Sequence, residues 1–327
     1  MIRKVKVRNF KCIIERNIMI TMASSLLFIF GILVNIPQAY SVTPDFNFAA
    51  VGDWGCNSNT DATTKGIASE SNKNKLGSPE LVLGLGDYSY QPTASCWLTK
   101  VGNIHDNMKI AVGNHESTTK LGFNQYKQKF PFPSNAYYSF DYQNVHFIVM
   151  NTETSYSPHS SQYKFVKSDL AKATNGKNTE WIIVLLHKPL YTSPTSCKIT
   201  SCQGSASLRD VYHPIFNQYD IDLVLEAHIH DYQRSFPLKY NSKSVTNPIV
   251  TTKDTSKYNN PEGEIYMIVG TGGINFHKLI GQQPFNAKQQ SSTFGHINID
   301  ITNSGQLLTA KFIQNNGKIF DSFTITK

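Results

Sequence analysis

The chain has 327 residues, with 31 Lys and Arg against 23 Asp and Glu and a formal charge of +8. Arg3, Lys4, Lys6, Arg8, Lys11 and Arg16 face the single acid Glu15 within residues 1–41, so residues 42–327 are close to neutral and nucleic acid is not expected as a partner. Aromatic residues at 12% and charged residues at 17% exclude a disordered chain, and the absence of a 20–50-residue repeat or a heptad excludes solenoids and coiled coils.

In chain order, a basic start is followed by an uncharged stretch over residues 17–44 whose apolar heart is Leu26 to Val34, with small residues at Ala39 and Ser41. This reads as a secretory signal. The alternative is an uncleaved N-terminal membrane anchor, since residues 18–36 approach spanning length. A buried core helix fits poorly, because the stretch has no polar face. Both leading readings place residues 42–327 outside the cytoplasm, and we divide the chain into a leader, 1–41, and one domain, 42–327. Contact with a membrane is expected only through an uncleaved leader. The oligomeric state is left open by the sequence.

Residues 46–51 read as a buried strand ending in Gly-Asp, 61–75 as moderately helical, and 81–85 as a second strand ending in Gly-Asp. A helix is predicted over 97–108 and a third strand over 109–112, ending in Gly-Asn-His. Residues 137–150 alternate as a β-hairpin turning at Gln143-Asn144. A helix over 160–173 precedes a buried strand over 181–186 that ends at His187, and a helix over 208–219 precedes a strand over 221–225 that ends near His228. Residues 241–261 are polar and read as an excursion loop. The tail is β-rich at 265–269, 296–301, 309–313 and 320–325. Short apolar runs alternating with helices indicate an α/β core. Outside the leader the cysteines number four: Cys56, Cys96, Cys197 and Cys202. An even count outside the cytoplasm suggests two disulfides, Cys56–Cys96 and Cys197–Cys202, although other pairings are open. Zinc ligation is the weaker alternative, because no CxxC pair exists.

Asp53, Asp87, Asn114-His115, His187 and His228-x-His230 each follow a predicted strand. Ligands of α/β sheets bind outside the carboxyl ends of strands. Each residue alone has an ordinary reading as a turn, a cap or a satisfied core histidine. Five successive strand ends require a common cause, and mixed nitrogen and oxygen donors suit zinc, iron or manganese.

The blocks Gly52-Asp53-Trp54-Gly55, Gly86-Asp87-Tyr88-Ser89-Tyr90, Gly113-Asn114-His115-Glu116, Val184-Leu185-Leu186-His187 and Ala227-His228-Ile229-His230 together resemble the purple acid phosphatases among the calcineurin-like metallophosphoesterases. The later turn Gly270-Thr271-Gly272-Gly273 is also similar. The resemblance implies an α/β four-layer α/β/β/α sandwich, two facing mixed β-sheets flanked by helices, in a short form without an N-terminal β-sandwich domain. It implies two metal ions: Fe3+ held by Asp53, Asp87, Tyr90 and His230, and a divalent Zn, Mn or Fe held by Asp87, Asn114, His187 and His228. It implies an acid phosphatase that hydrolyses small-molecule phosphate monoesters by in-line attack of metal-bound hydroxide. His115 would assist the leaving group and Glu116 would orient His115.

Two positions depart from the pattern. Ala227 stands where the family has glycine before His-x-His. Residues 188–197 contain no histidine where the family often has a second substrate-facing one, leaving Lys188 and Tyr191 as candidates to line the pocket. His213 and Arg234 read as structural. The departures keep two alternatives in view: a phosphodiesterase or nucleotidase using the same site, and a metal-stabilised surface binding module without turnover.

Overall fold

The computed structural model describes residues 45–70, 79–176, 178–198 and 203–327. The leader and Cys202 lie outside the described residues. The strands are β1 (Phe46–Val51), β2 (Leu81–Gly84), β3 (Met108–Ile110), β4 (Tyr138–Tyr142), β5 (Val145–Val149), β6 (Trp181–Leu185), β7 (Leu223–Glu226), β8 (Tyr232–Ser235), β9 (Leu238–Lys239), β10 (Ile249–Val250), β11 (Lys257–Asn259), β12 (Ile265–Val269), β13 (Asn286–Gln290), β14 (Gly295–Thr302), β15 (Leu307–Gln314) and β16 (Ile319–Thr326). The helices are α1 (Ser58–Ser69), α2 (Ser95–Lys100), α3 (Asn114–Ser117), α4 (Lys120–Lys129), α5 (Ser161–Ala173) and α6 (Ala206–Gln218).

Two mixed sheets form, in the orders β11-β16-β15-β14-β1-β2-β3 and β13-β8-β12-β7-β6-β5-β4. In the first sheet β1, β2 and β3 run parallel, and β1 pairs antiparallel with β14. In the second, β5, β6, β7 and β12 run parallel. The central parallel strands are buried along their whole length, which explains their unbroken apolar runs.

The sheets face one another. Phe48 of β1 meets Phe147 of β5 edge to face at 5.4 Å, and Tyr232 of β8 stacks on Phe312 of β15 at 4.2 Å. Arg234 of β8 reaches across to Asp321 of β16 through Nε (2.6 Å) and Nη2 (3.0 Å), and Tyr232 Oη donates to the same carboxylate at 2.8 Å. Arg234 is fully buried, which bears out its structural reading. Helices α5 and α6 cover the outer face of the second sheet through Val166, Leu170, Leu208, Tyr212 and Phe216, packed with Ile148, Ile182 and Val224. Helix α1 lies on the first sheet at β14. Side chains cap these helices at their N-termini: Asn57 accepts from Asn59 N and Thr60 N, and Ser160 accepts from Tyr163 N.

Two local expectations are corrected. The helix predicted over 97–108 ends at Lys100. The chain turns at Gly102 and makes a single 3-10 turn, His105–Asn107, so that Met108 can begin β3 beside β2. Residues 241–261 are not a plain loop: β10 pairs with β9, and β11 adds a parallel edge to β16. Strands β8 and β13 and helices α3 and α4 were not foreseen. Cys56 and Cys96 form the expected disulfide.

Candidate active site

Asp53, Asp87 and Asn114 lie just beyond the ends of β1, β2 and β3, and His187 and His228 just beyond the ends of β6 and β7. The loops leaving them turn sharply. Asp53, Asp87, Tyr90 and His228 have φ of 57°, 55°, 54° and 69°, a region that side chains other than glycine rarely adopt and that concentrates at functional sites. The first two loops are stitched together by Asp53 N to Gly86 O (3.1 Å), Trp54 N to Asp87 O (2.9 Å) and Gly55 N to Tyr88 O (2.7 Å). The buried Glu116 carboxylate accepts from Asp87 N and Tyr88 N at 2.8 Å each and from Gly113 N at 2.9 Å. It therefore orients the loops, and not His115 as the resemblance implied. Two glycines are required by close approach: a Cβ at Gly113 would lie 2.2 Å from Asp87 Oδ1, and one at Gly270 would lie 2.6 Å from Asp53 Oδ2.

All seven proposed ligands converge, in two groups. In the first, Tyr90 Oη donates to Asp53 Oδ1 at 2.9 Å and lies 3.1 Å from His230 Nε2, while that Nε2 lies 3.6 Å from Asp53 Oδ1. In the second, His187 Nε2 lies 3.2 Å from each of Asp87 Oδ2, Asn114 Oδ1 and His228 Nδ1. The outer nitrogens are already committed. His187 Nδ1 donates to Leu85 O at 2.8 Å and His230 Nδ1 to Asn275 O at 2.8 Å, which leaves Nε2 of both rings as an acceptor toward the site. A metal that holds nitrogen and oxygen donors at about 2.0–2.2 Å sets neighbouring donors about 3.0–3.4 Å apart. The second group has that spacing, and Asp87, His187 and His228 can hold a metal ion.

The electrostatics ask for a cation. Asp53 and Asp87 are buried, and histidines alone pair with them in the ion-pair geometry of the described residues, with no lysine or arginine. Burial pushes Asp53 up to about 7, with Asp87 adding to the rise. On Asp87 burial opposes the charge, but His187 and His115 outweigh it and hold the carboxyl below its ordinary range. Burial lowers His187, but Asp87 and Asp53 more than compensate and raise it to about 10. Burial and the Asp53 charge raise Tyr90 well above its usual value, and a tyrosinate there requires strong positive charge close by. The donor set fits a metal centre.

The family model of the calcineurin-like phosphoesterases matches residues 46–232, which spans every residue of both donor groups. The chain belongs to this family. Among curated relatives, purple acid phosphatase 21 of Arabidopsis thaliana is 28% identical over 235 residues, covering 64% of this chain and 48% of that protein. A purple acid phosphatase of Glycine max is 27% identical over 225 residues, covering 66% and 44%. The chain thus spans about half the length of these relatives. The solved purple acid phosphatase from yellow lupin (Lupinus luteus) seeds shares the fold with a TM-score of 0.73, at 20% identity, over 87% of this chain and 54% of that one.

Around this calcineurin-like core, His115 is half-exposed. Its backbone N donates to Asp87 Oδ1 at 2.9 Å, its Nε2 lies 3.8 Å from Asp87 Oδ2, and its ring packs on Tyr90 with centroids 4.1 Å apart. Ala227 is accommodated by its neighbour: a Cβ on Gly52 would meet the Ala227 methyl at 2.6 Å, so the glycine at 52 leaves the space that this methyl occupies. Lys188 pairs with Glu153 at 2.8 Å and Tyr191 Oη bonds His213 Nδ1 at 2.6 Å, so both candidates from the histidine-free segment have structural partners.

The sequence reading missed His277. Its ring stacks on His230 at 4.0 Å and 12°, and its Nδ1 accepts from His230 N at 3.2 Å. Burial and the neighbouring His230 lower it to about 4, and burial likewise lowers His230 to about 4. The Gly270-Thr271-Gly272-Gly273 turn was the available signal. It ties to the Asp53 loop through Gly272 N to Gly52 O and Ile274 N to Asp53 O, and so carries the following residues to His230.

Proposed function

We propose that this chain is an exported phosphatase that hydrolyses phosphate monoesters of small molecules at a two-metal centre. The observation that carries the reading is the convergence of seven donors into two adjacent groups with the half-exposed His115 beside them. Asp53, Asp87, Tyr90 and His230 would hold one ion, and Asp87, Asn114, His187 and His228 the other, with Asp87 shared. Anionic oxygen donors suit a hard ferric ion, and neutral imidazole and amide donors suit divalent zinc, manganese or iron. Such a pair supplies positive charge for phosphoryl oxygens and an activated water.

The chain's own residues do the rest. Leu85 O and Asn275 O fix the His187 and His230 rings. Glu116 holds the Asp87 and Asn114 loops in register. His115 stands at the mouth, fixed by its backbone bond to Asp87, where its imidazole can give a proton to a departing alkoxide. Export is supported by the basic-apolar-small pattern of residues 1–41 and by the Cys56–Cys96 disulfide. Among the described residues no helix is long and apolar enough to cross a membrane.

The test is metal analysis with a visible spectrum on protein purified without chelator. Two metals per chain and a tyrosinate-to-iron band that Tyr90→Phe abolishes are expected, together with loss of metal and phosphomonoesterase activity in His187→Ala. Metal-loaded protein that is inert on a broad phosphoester panel would sink the reading. One observation keeps diesters in view as a second reading: Lys188 and Tyr191 are tied to Glu153 and His213, so residues 188–191 offer no substitute for a second substrate-facing histidine. Rates on a monoester and a diester under one condition separate the two.

A further inference from the structure

A cavity of ≈ 370 Å³ lies beside α6 and the segment that follows His187, and shares no lining residue with the metal centre. Its volume falls within the about 300–1,000 Å³ typical of small-molecule sites. Leu190, Tyr191 and Phe285 give it an apolar wall, and Ser193, Gln283 and Arg209 give it polar groups. No carboxylate lines it among the described residues.

Arg209 is the distinctive group. It is only 7% exposed. Its Nε donates to Asp210 Oδ1 at 3.0 Å, on a side chain that is itself 44% exposed. Among the described residues no protein group partners the two Nη nitrogens, which form the bidentate edge of a guanidinium. This edge is open to the cavity, where an anion can meet it.

The surroundings hold Arg209 in place. Its guanidinium carbon lies 5.8 Å over the Tyr191 ring. Tyr191 Oη bonds His213 Nδ1 at 2.6 Å, His213 Nε2 lies 3.3 Å from Glu264, and Asn217 Nδ2 donates to both Glu264 oxygens at 2.7 and 2.6 Å. Arg209, His213 and Asn217 recur every four residues on one face of α6, so one helix face builds the cavity wall and its support. Ser193 Oγ accepts from Gln283 N at 3.0 Å and Asn286 Nδ2 at 2.8 Å, which leaves its own proton to donate.

We propose that this cavity is a second binding site, for a small organic oxyanion. The carboxylate or phosphoryl group of the ligand bridges the Nη pair of Arg209 and receives the Ser193 proton, and its apolar part lies on Tyr191 and Phe285. The proposal does not rest on phosphatase activity. Benzoate and phenylphosphonate share a ring, differ in the oxyanion, and are not cleaved by ester hydrolysis. Titrating each into the metal-loaded full chain, followed by ligand-observed NMR, separates carboxylate from phosphoryl recognition. At least one probe is expected to bind, to weaken by about tenfold or more in Arg209→Gln, to recover partly in Arg209→Lys, and to bind His187→Ala as it binds wild type. Failure of both probes at millimolar concentration, unchanged affinity in Arg209→Gln, or loss of binding in His187→Ala alone overturns the assignment. In the wild-type chain the bound probe slows hydrogen exchange across residues 206–213. Unaltered exchange there also overturns it, so the test survives a variant that fails to fold.

Discussion

Glu116 binds no substrate and holds no metal in our reading, yet replacing it should be among the most damaging single changes in the domain. One carboxylate oxygen serves Tyr88 N and the other serves both Asp87 N and Gly113 N. Glu116→Ala orphans three buried donors. At about 1–3 kcal/mol for each unsatisfied group, the cost is about 3 kcal/mol or more, a large part of the about 5–15 kcal/mol that holds a domain together. Glu116→Gln keeps the shape. Its carbonyl can serve Asp87 N and Gly113 N, while its amide meets Tyr88 N donor to donor, so one bond is lost at about 1–3 kcal/mol. The assay is urea unfolding of metal-loaded protein, with metal content measured on the same samples. Alanine should cost about three times as much as glutamine, with metal depleted in parallel. Equal costs, or costs below about 1 kcal/mol for both, would refute the reasoning.

Asp321→Ala leaves the Arg234 guanidinium buried between the sheets with Tyr258 Oη and Thr255 O as its only hydrogen-bond partners among the described residues, and should destabilise by about 3–5 kcal/mol in urea unfolding. His146 Nδ1 lies 2.6 Å from Asp141 and Nε2 2.9 Å from Asp169, so it clamps the β4–β5 hairpin to α5. Burial lowers its pKa, but these two carboxylates outweigh burial and raise it. A raised folded pKa gives stability that is full below the ordinary histidine value and is lost as pH rises through the folded value. The stability gap between wild type and His146→Gln should therefore be wider at about pH 5.5 than at about pH 9. The Cys56–Cys96 bridge closes a sequence separation of 40, and replacing both cysteines by serine should cost about 4 kcal/mol on a chain-entropy estimate, again read from urea midpoints.

The donors were legible in the sequence because each needs a strand to position it and a short loop to aim it, and the Gly-Asp, Gly-Asn-His and His-x-His blocks write both requirements within a few residues. Their supports were not legible. Glu116 serves amides up to 29 positions away and His277 reaches His230 across 47, and no local pattern marks such pairings. Strand β8, Tyr-Gln-Arg-Ser, is wholly buried despite its polarity, because Asp321 and Tyr258 satisfy Arg234 and Asp231 satisfies Gln233. The short helix that begins at Asn114 was hidden for a similar reason, since its Glu116 accepts from Asp87 N and Tyr88 N in the loop after β2.

The division of the donors between the sheets also orders the assembly of the site. The oxygen donors Asp53, Asp87, Tyr90 and Asn114 belong to loops of the first sheet, and the imidazoles His187, His228 and His230 to loops of the second. Strand β1, which ends just before Asp53, takes β14 as its antiparallel neighbour, some 250 residues later in the chain. No stretch of chain emerging early can preassemble the seven donors, and an ion held by both sets would be captured late and report completion of both sheets. Metal occupancy would then act as a proofreading mark on the finished fold, separating chains that have joined their two halves from chains that have folded only one.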